Sequence, residues 1–173
     1  MKSVTFKFNK TKAIESMLYL AERVRDADVY GICKLLYLAD KTCLEKYGRF
    51  MFGESYYAMK EGATPSNAYD ILKDAAKKSV KGLKVKGNQI IPLRKPNLDY
   101  LSQADTECLD LIINAYGHVP NWDRRRHAHD EAWREVWSQK GSSNSVLMPV
   151  ESIAKYLEDS DELIDYLCNP DAE

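Results

Sequence analysis

Apolar residues recur at three- and four-residue steps over Ile14, Met17, Leu18, Ala21 and Val24, and again over Ile32, Leu35, Leu36, Ala39 and Cys43. That spacing marks two amphipathic helices, which are expected to pack as a pair. Asn9 or Thr11 can cap the first, placed over 9–26. Asp28 can cap the second, and Gly48 is suited to stop it. The period is lost from Phe50 to Lys60, an aromatic stretch that reads as a loop followed by a short extended segment. Thr64 followed by Pro65 combines a capping hydroxyl with a residue suited to the first helical turn, and a helix through Tyr69, Leu72, Ala75 and Ala76 follows. Leu83 to Lys86 and Gln89 to Leu93 flank Gly87-Asn88, the signature of a tight antiparallel turn. Ser102 with Asp105 opens a helix carrying Leu109, Ile112, Ile113 and Tyr116, ended by Gly117. Two later helical segments are expected, one around Asp130 to Trp137 and one from Pro149 to Leu167 with a break near Ser160. Gly141 to Ser145 reads as a mobile loop between them. The fold class is therefore mainly α, of the α+β kind: a compact helical domain with a small β-hairpin, spanning 1–173 as one unit.

The 173 residues, 45% hydrophobic and 29% charged, suffice for one packed core. The net charge of −1 gives no global pull toward nucleic acid or an anionic membrane surface. Charge is unevenly placed, however. Lysines and arginines dominate from Lys73 to Lys95, and acids dominate beyond Val150, so the acidic end is expected to face the basic middle within the fold or in a homo-oligomer. Cys33, Cys43, Cys108 and Cys168 form no CxxC pair, which suits reduced thiols. Met1 to Lys10 has no sustained apolar stretch, and no segment reaches membrane-spanning length, so a cytoplasmic protein is expected.

His127-Ala128-His129-Asp130-Glu131 is the densest run of potential ligands or acid–base groups, and it supports a small metal-dependent hydrolase as a remote alternative. On a helix, residues two apart point away from each other, so the two imidazoles would not share an ion there. His129, Trp133 and Trp137 instead form a helical stripe that reads first as core packing and second as a partner anchor. The lysines from Lys73 to Lys86 suit a phosphate backbone or, more plainly, a solvated surface; a nucleic-acid-binding regulator is thus a further alternative. There is no phosphate cradle, nucleophile elbow or helical metalloprotease motif, so neither catalysis nor a cofactor nor a bound metal is expected.

Three ordered blocks carry a resemblance. The run Lys34-Leu35-Leu36-Tyr37-Leu38-Ala39-Asp40, the run Gly62-Ala63-Thr64-Pro65-Ser66-Asn67-Ala68-Tyr69-Asp70 and the run His129-Asp130-Glu131-Ala132-Trp133 resemble the SocA-like Panacea antitoxin family, over about Val29 to Leu167. Ala63 departs from the proline usual in that turn. The resemblance implies a bacterial or phage-associated antitoxin that neutralises a cognate protein toxin by contact, in some members as an adaptor to a bacterial protease. It brings no catalytic residues. Lys34, Tyr37, Gly62, Pro65, Tyr69, His129 and Trp133 become candidates for fold or interface, and the partner is expected on the first helix and around Tyr56 and Tyr57.

Overall fold

A computed structural model describes residues 3–170; the outermost residues of the span 1–173 expected to form one unit, including Lys2 and the terminal Asp171 and Glu173 of the acidic end, lie outside them. Helix α1 (Lys10–Arg23) is capped by Asn9, whose side chain accepts from the Lys12 N–H, so Asn9 rather than Thr11 opens it. Its burial corrects the amphipathic reading, because every residue from Ala13 to Leu20 is buried, Glu15 and Ser16 included. The polar pair is satisfied inside: Arg94 Nη2 lies 2.6 Å from Glu15 Oε1, and the Ser16 hydroxyl donates to Lys12 O. With that middle stretch enclosed, only the exposed ends of α1, Lys10–Thr11 and Glu22–Arg23, remain to offer the partner face expected of it.

Helix α2 (Val29–Tyr47) starts at Asp28, which accepts from the Gly31 N–H, and ends at Gly48 with φ +65°. A side chain is disfavoured at that φ. Here a Cβ would also come 2.7 Å from the Tyr166 ring. Helix α4 (Gln103–Tyr116) lies along α2 and opens with a complete capping box between Ser102 and Asp105. Gly117 ends α4 in a right-handed conformation.

Strands β1 (Tyr56–Met59), β2 (Gly62–Pro65) and β5 (Ser145–Leu147) form an antiparallel sheet in the order β2-β1-β5, with Met59 opposite Gly62 and Tyr57 opposite Leu147. Thr64 and Pro65 therefore belong to a strand, and helix α3 (Ser66–Lys77) begins one residue later without a local side-chain cap. A remote carboxylate replaces it: Glu54, itself buried, accepts from the N–H groups of Asn67 and Ala68 and from the Asn67 amide. Strands β3 (Leu83–Lys86) and β4 (Gln89–Pro92) form the expected hairpin, which docks on the start of α2 through Val29 N to Asn88 O and Ile90 N to Ala27 O.

Helix α5 (Asn121–His127) is not signalled by any apolar period, and it precedes α6 (Glu131–Ser138), capped by Asp130. The final helical segment has the break expected near Ser160 and forms α7 (Val150–Ala154) and α8 (Ser160–Cys168), with Asp159 at φ +50° just before α8. Cys33, Cys43 and Cys108 are buried free thiols, and Cys168 is half-buried. Among the described residues no ion pair joins the acidic end to the Lys73–Lys95 stretch; Lys73 pairs with Asp70, Arg94 with Glu15, and Lys155 with Glu135.

Candidate partner and ligand groove

One side of α2 carries Lys34, Tyr37 and Lys41 in a stripe, as three- and four-residue steps require. Asp130 meets this stripe from across the chain. Its Oδ2 accepts from the Tyr37 hydroxyl at 2.8 Å and lies 2.6 Å from Lys41 Nζ, while Oδ1 accepts the Trp133 N–H that opens α6. Burial and the neighbouring Asp130 charge hold the Tyr37 phenol well above its ordinary range, so it serves as a neutral donor.

The turn between β1 and β2 is held by the next residues along. The Trp133 indole donates to Met59 O at 2.9 Å, and the two ring nitrogens of His129 lie 2.8 Å from Arg125 O and 3.0 Å from Lys60 O. His129 meets the Trp133 ring edge-on, and Trp133 stacks on Trp137 with centroids 5.6 Å apart. His127, in contrast, turns away to pack on Tyr116. Gly62, at φ +104°, brings the turn so close to Ala128 that a Cβ would sit 3.0 Å from its carbonyl oxygen. Ala63, where a proline was the usual residue, donates its N–H to that same oxygen. Proline has no such hydrogen to give.

Lys34, only 3% exposed, donates to Ala63 O at 3.0 Å and more weakly to Thr64 Oγ1 at 3.4 Å. Burial pulls its ammonium down to about 8. Burial also pushes the adjacent Cys33 thiol up to about 12, which makes it a poor nucleophile near neutral pH. Above Lys34 opens a cavity of about 640 Å³ walled by Tyr30, Met59, Tyr69 and Trp137, with Lys60, Glu61 and Lys140 among its polar lining. A second groove of about 520 Å³ shares Tyr30, Lys34 and Glu61 with it and continues to Asn121, Trp122 and Arg125 on α5. Tyr57 lines a shallower depression that meets the cavity at Met59, Thr64 and Tyr69.

The candidate residues thus divide. Lys34 and Tyr69 face the cavity, and Tyr57 borders it. Tyr37, Gly62, Pro65, His129 and Trp133 hold the surrounding elements in place, with Trp133 half-buried rather than fully enclosed. Tyr56 is corrected outright: it is 1% exposed, its hydroxyl 2.6 Å from Asp40 Oδ2 and 3.2 Å from Leu36 O, and it belongs to the core. What the sequence did not suggest is α5. Its Arg124 is fully buried and donates to the carbonyls of Arg25, Asp26, Tyr116 and Gly117, which fixes the helix so that Trp122, 68% exposed, stands at the groove's outer wall beside Tyr30, 49% exposed. Within an Asn-Trp-Asp-Arg-Arg-Arg run, nothing distinguishes the buried arginine from its solvated neighbours.

Among the described residues no group of three or more His, Cys, Asp or Glu side chains has metal-binding placement, and no helix is long and apolar enough to cross a membrane. A family model described as the antitoxin SocA-like Panacea domain matches residues 32–134, more than half of the chain. The match ends within α6, short of the Leu167 limit read from the sequence, and it contains all nine candidate residues. No curated protein and no solved structure matches the chain.

Proposed function

From the premise that the chain belongs to the SocA-like Panacea antitoxin family, with the general antitoxin-like role this carries, we propose that it neutralises a cognate protein toxin in the cytoplasm by direct binding, without catalysis of its own. The family match is the observation that carries this reading. The outer groove supports it as a docking surface: Tyr30 and Trp122 are large, exposed aromatics fixed on α2 and α5, flanked by the Glu61–Arg125 pair. Aromatic side chains held on rigid helices lose little conformational freedom on binding, and tryptophan and tyrosine dominate binding hot spots. An adaptor role toward a bacterial protease would need a second surface, and the exposed face of α8 bearing Tyr166 offers one.

Co-expression with the toxin encoded beside it tests the proposal. Growth should be restored and the two proteins should purify together. Trp122→Ala, whose ring is mostly in solvent, should leave the melting temperature unchanged and weaken capture by at least about tenfold, the usual scale for a hot-spot aromatic. Absence of both rescue and co-purification by the unmutated chain refutes the reading, whereas unaltered capture by Trp122→Ala and Tyr30→Ala moves the partner off this groove.

A further inference from the structure

The geometry points to the cavity over Lys34 as a binding site for a small aromatic anion, the chemistry shared by an aromatic carboxylate and a nucleoside monophosphate. This is separate from toxin capture on the outer groove, although Tyr30 and Lys34 border both.

The volume, about 640 Å³, falls in the range of small-molecule sites, and the lining has the composition of one: apolar and aromatic walls with a few convergent polar groups. Tyr30, Tyr69, Trp137 and Met59 make those walls and suit a ring better than a hydrated chain. Charge selects the sign of the ligand. Lys34, Lys60 and Lys140 all line the cavity, and none has a carboxylate within ion-pair distance among the described residues. The sole acidic side chain in the lining, Glu61, is held by Arg125 at 2.7 Å.

Lys34 carries the argument furthest. An ammonium has three hydrogens. Two are directed at Ala63 O and Thr64 Oγ1, and the Thr64 hydroxyl passes its own proton on to Gly62 O, which leaves its oxygen free to accept. The third has no hydrogen-bond partner among the described residues. Burying a lysine against neutral acceptors is costly without a counter-charge in contact, and the carboxylate that acts on it through space, Glu61, is taken up by Arg125. An anionic group seated on the third hydrogen supplies that counter-charge, and Lys60 and Lys140 at the lip add attraction from solvent-accessible positions.

Isothermal titration of the full chain with adenosine 5′-monophosphate and with 2-naphthoate tests the site, with adenosine, 2-naphthalenemethanol and inorganic phosphate as controls. At least one aromatic anion should bind with a single site, its neutral counterpart at least about tenfold more weakly, as expected for a lost charge-assisted hydrogen bond. Which anion binds separates the nucleotide source from the carboxylate source. Lys34→Met should reduce that affinity by about tenfold or more. If Lys34→Met does not fold, the lip variant Lys60→Gln/Lys140→Gln should show the same loss in smaller measure, with the binding strongest at low salt. Neither anion binding more tightly than about 1 mM, the weak end of the affinity scale, overturns the proposal. So does equal binding of the neutral analogues. If neither anion binds while Lys34→Met abolishes capture of the toxin, the cavity receives a side chain of the protein partner, and the small-ligand site is refuted. Ligand binding in a chain that fails to rescue from the toxin leaves this site standing and removes only the antitoxin reading.

Discussion

Asp40→Asn should make the protein insensitive to pH in a window where the parent chain loses stability. Asp40 is fully buried, and its carboxyl accepts from the Met51 N–H at 2.7 Å and faces the Tyr56 hydroxyl at 2.6 Å. Burial raises it from 3.8 to about 7, with no cation beside it to hold it charged. In the protonated form the group fits better. Tyr56 has one hydroxyl proton and two acceptors, Asp40 Oδ2 and Leu36 O; a neutral Asp40 donates to Tyr56, which then donates to Leu36. The folded state therefore binds a proton that the unfolded chain releases above about 4, so this contribution is fully present at low pH. It is lost as pH rises toward and through about 7. Between pH 5 and pH 8 the loss amounts to about 2 to 3 kcal/mol, a sizeable part of the roughly 5 to 15 kcal/mol that keeps a domain folded. Asparagine reproduces the neutral pattern, with its oxygen toward Met51 and its amide toward Tyr56, and leaves one amide hydrogen over at a cost of about 1 to 3 kcal/mol. Urea unfolding followed by circular dichroism at a series of pH values reads both curves, and their difference removes the other titrating groups common to both. Parallel curves over pH 5 to 8 would refute the argument.

Further outcomes follow from the same geometry. Trp133→Ala removes a half-buried ring, its stacking on Trp137 and its bond to Met59; thermal melting should show a loss of about 3 kcal/mol, with Trp133→Phe milder. Gly62→Ala combines φ +104° with a Cβ 3.0 Å from Ala128 O, and should cost about 1 to 3 kcal/mol in the same assay. Burial lowers Lys34 from 10.5 to about 8, so the folded state binds fewer protons between those values and stability rises with pH across them; Lys34→Met should abolish that rise in urea unfolding. Neutralising Lys77, Lys78 and Lys81 together, all exposed and outside the groove, should leave toxin rescue intact; any affinity for nucleic acid that disappears with them, measured against salt, would assign that surface a regulatory part.

Elements whose start and stop lie in their own sequence were legible. Asp28 and Gly48 bound α2, Ser102 with Asp105 opens α4, and Gly87-Asn88 turns the hairpin, because in each the cap or turn residue is within a few positions of the groups it satisfies. Thr64-Pro65 has the same local chemistry but a different fate, since Glu54 reaches over from before β1 to cap α3 and releases Thr64 for the sheet and for Lys34. Helix α5 is invisible for a related reason: it is fixed by Arg124 against carbonyls contributed by residues 25, 26, 116 and 117, a set defined only in three dimensions. The candidate site was half legible. Its motif residues do come together, yet Tyr56 and α1 turn inward, because periodicity reports an apolar face and is silent on whether the opposite face is covered as well.

Asp130 also sets an order of events during synthesis. Tyr37 and Lys41 leave the ribosome about ninety residues before the carboxylate that receives them, so a half-made chain holds α2 with these two groups unmatched although Lys34 already has its partners. At about 5 to 20 residues per second, that interval lasts several seconds or more. The cavity over Lys34, walled in part by Trp137 and Lys140, is accordingly completed late, when α6 arrives, whereas the outer groove reaches only to Arg125 and is complete once α5 is made.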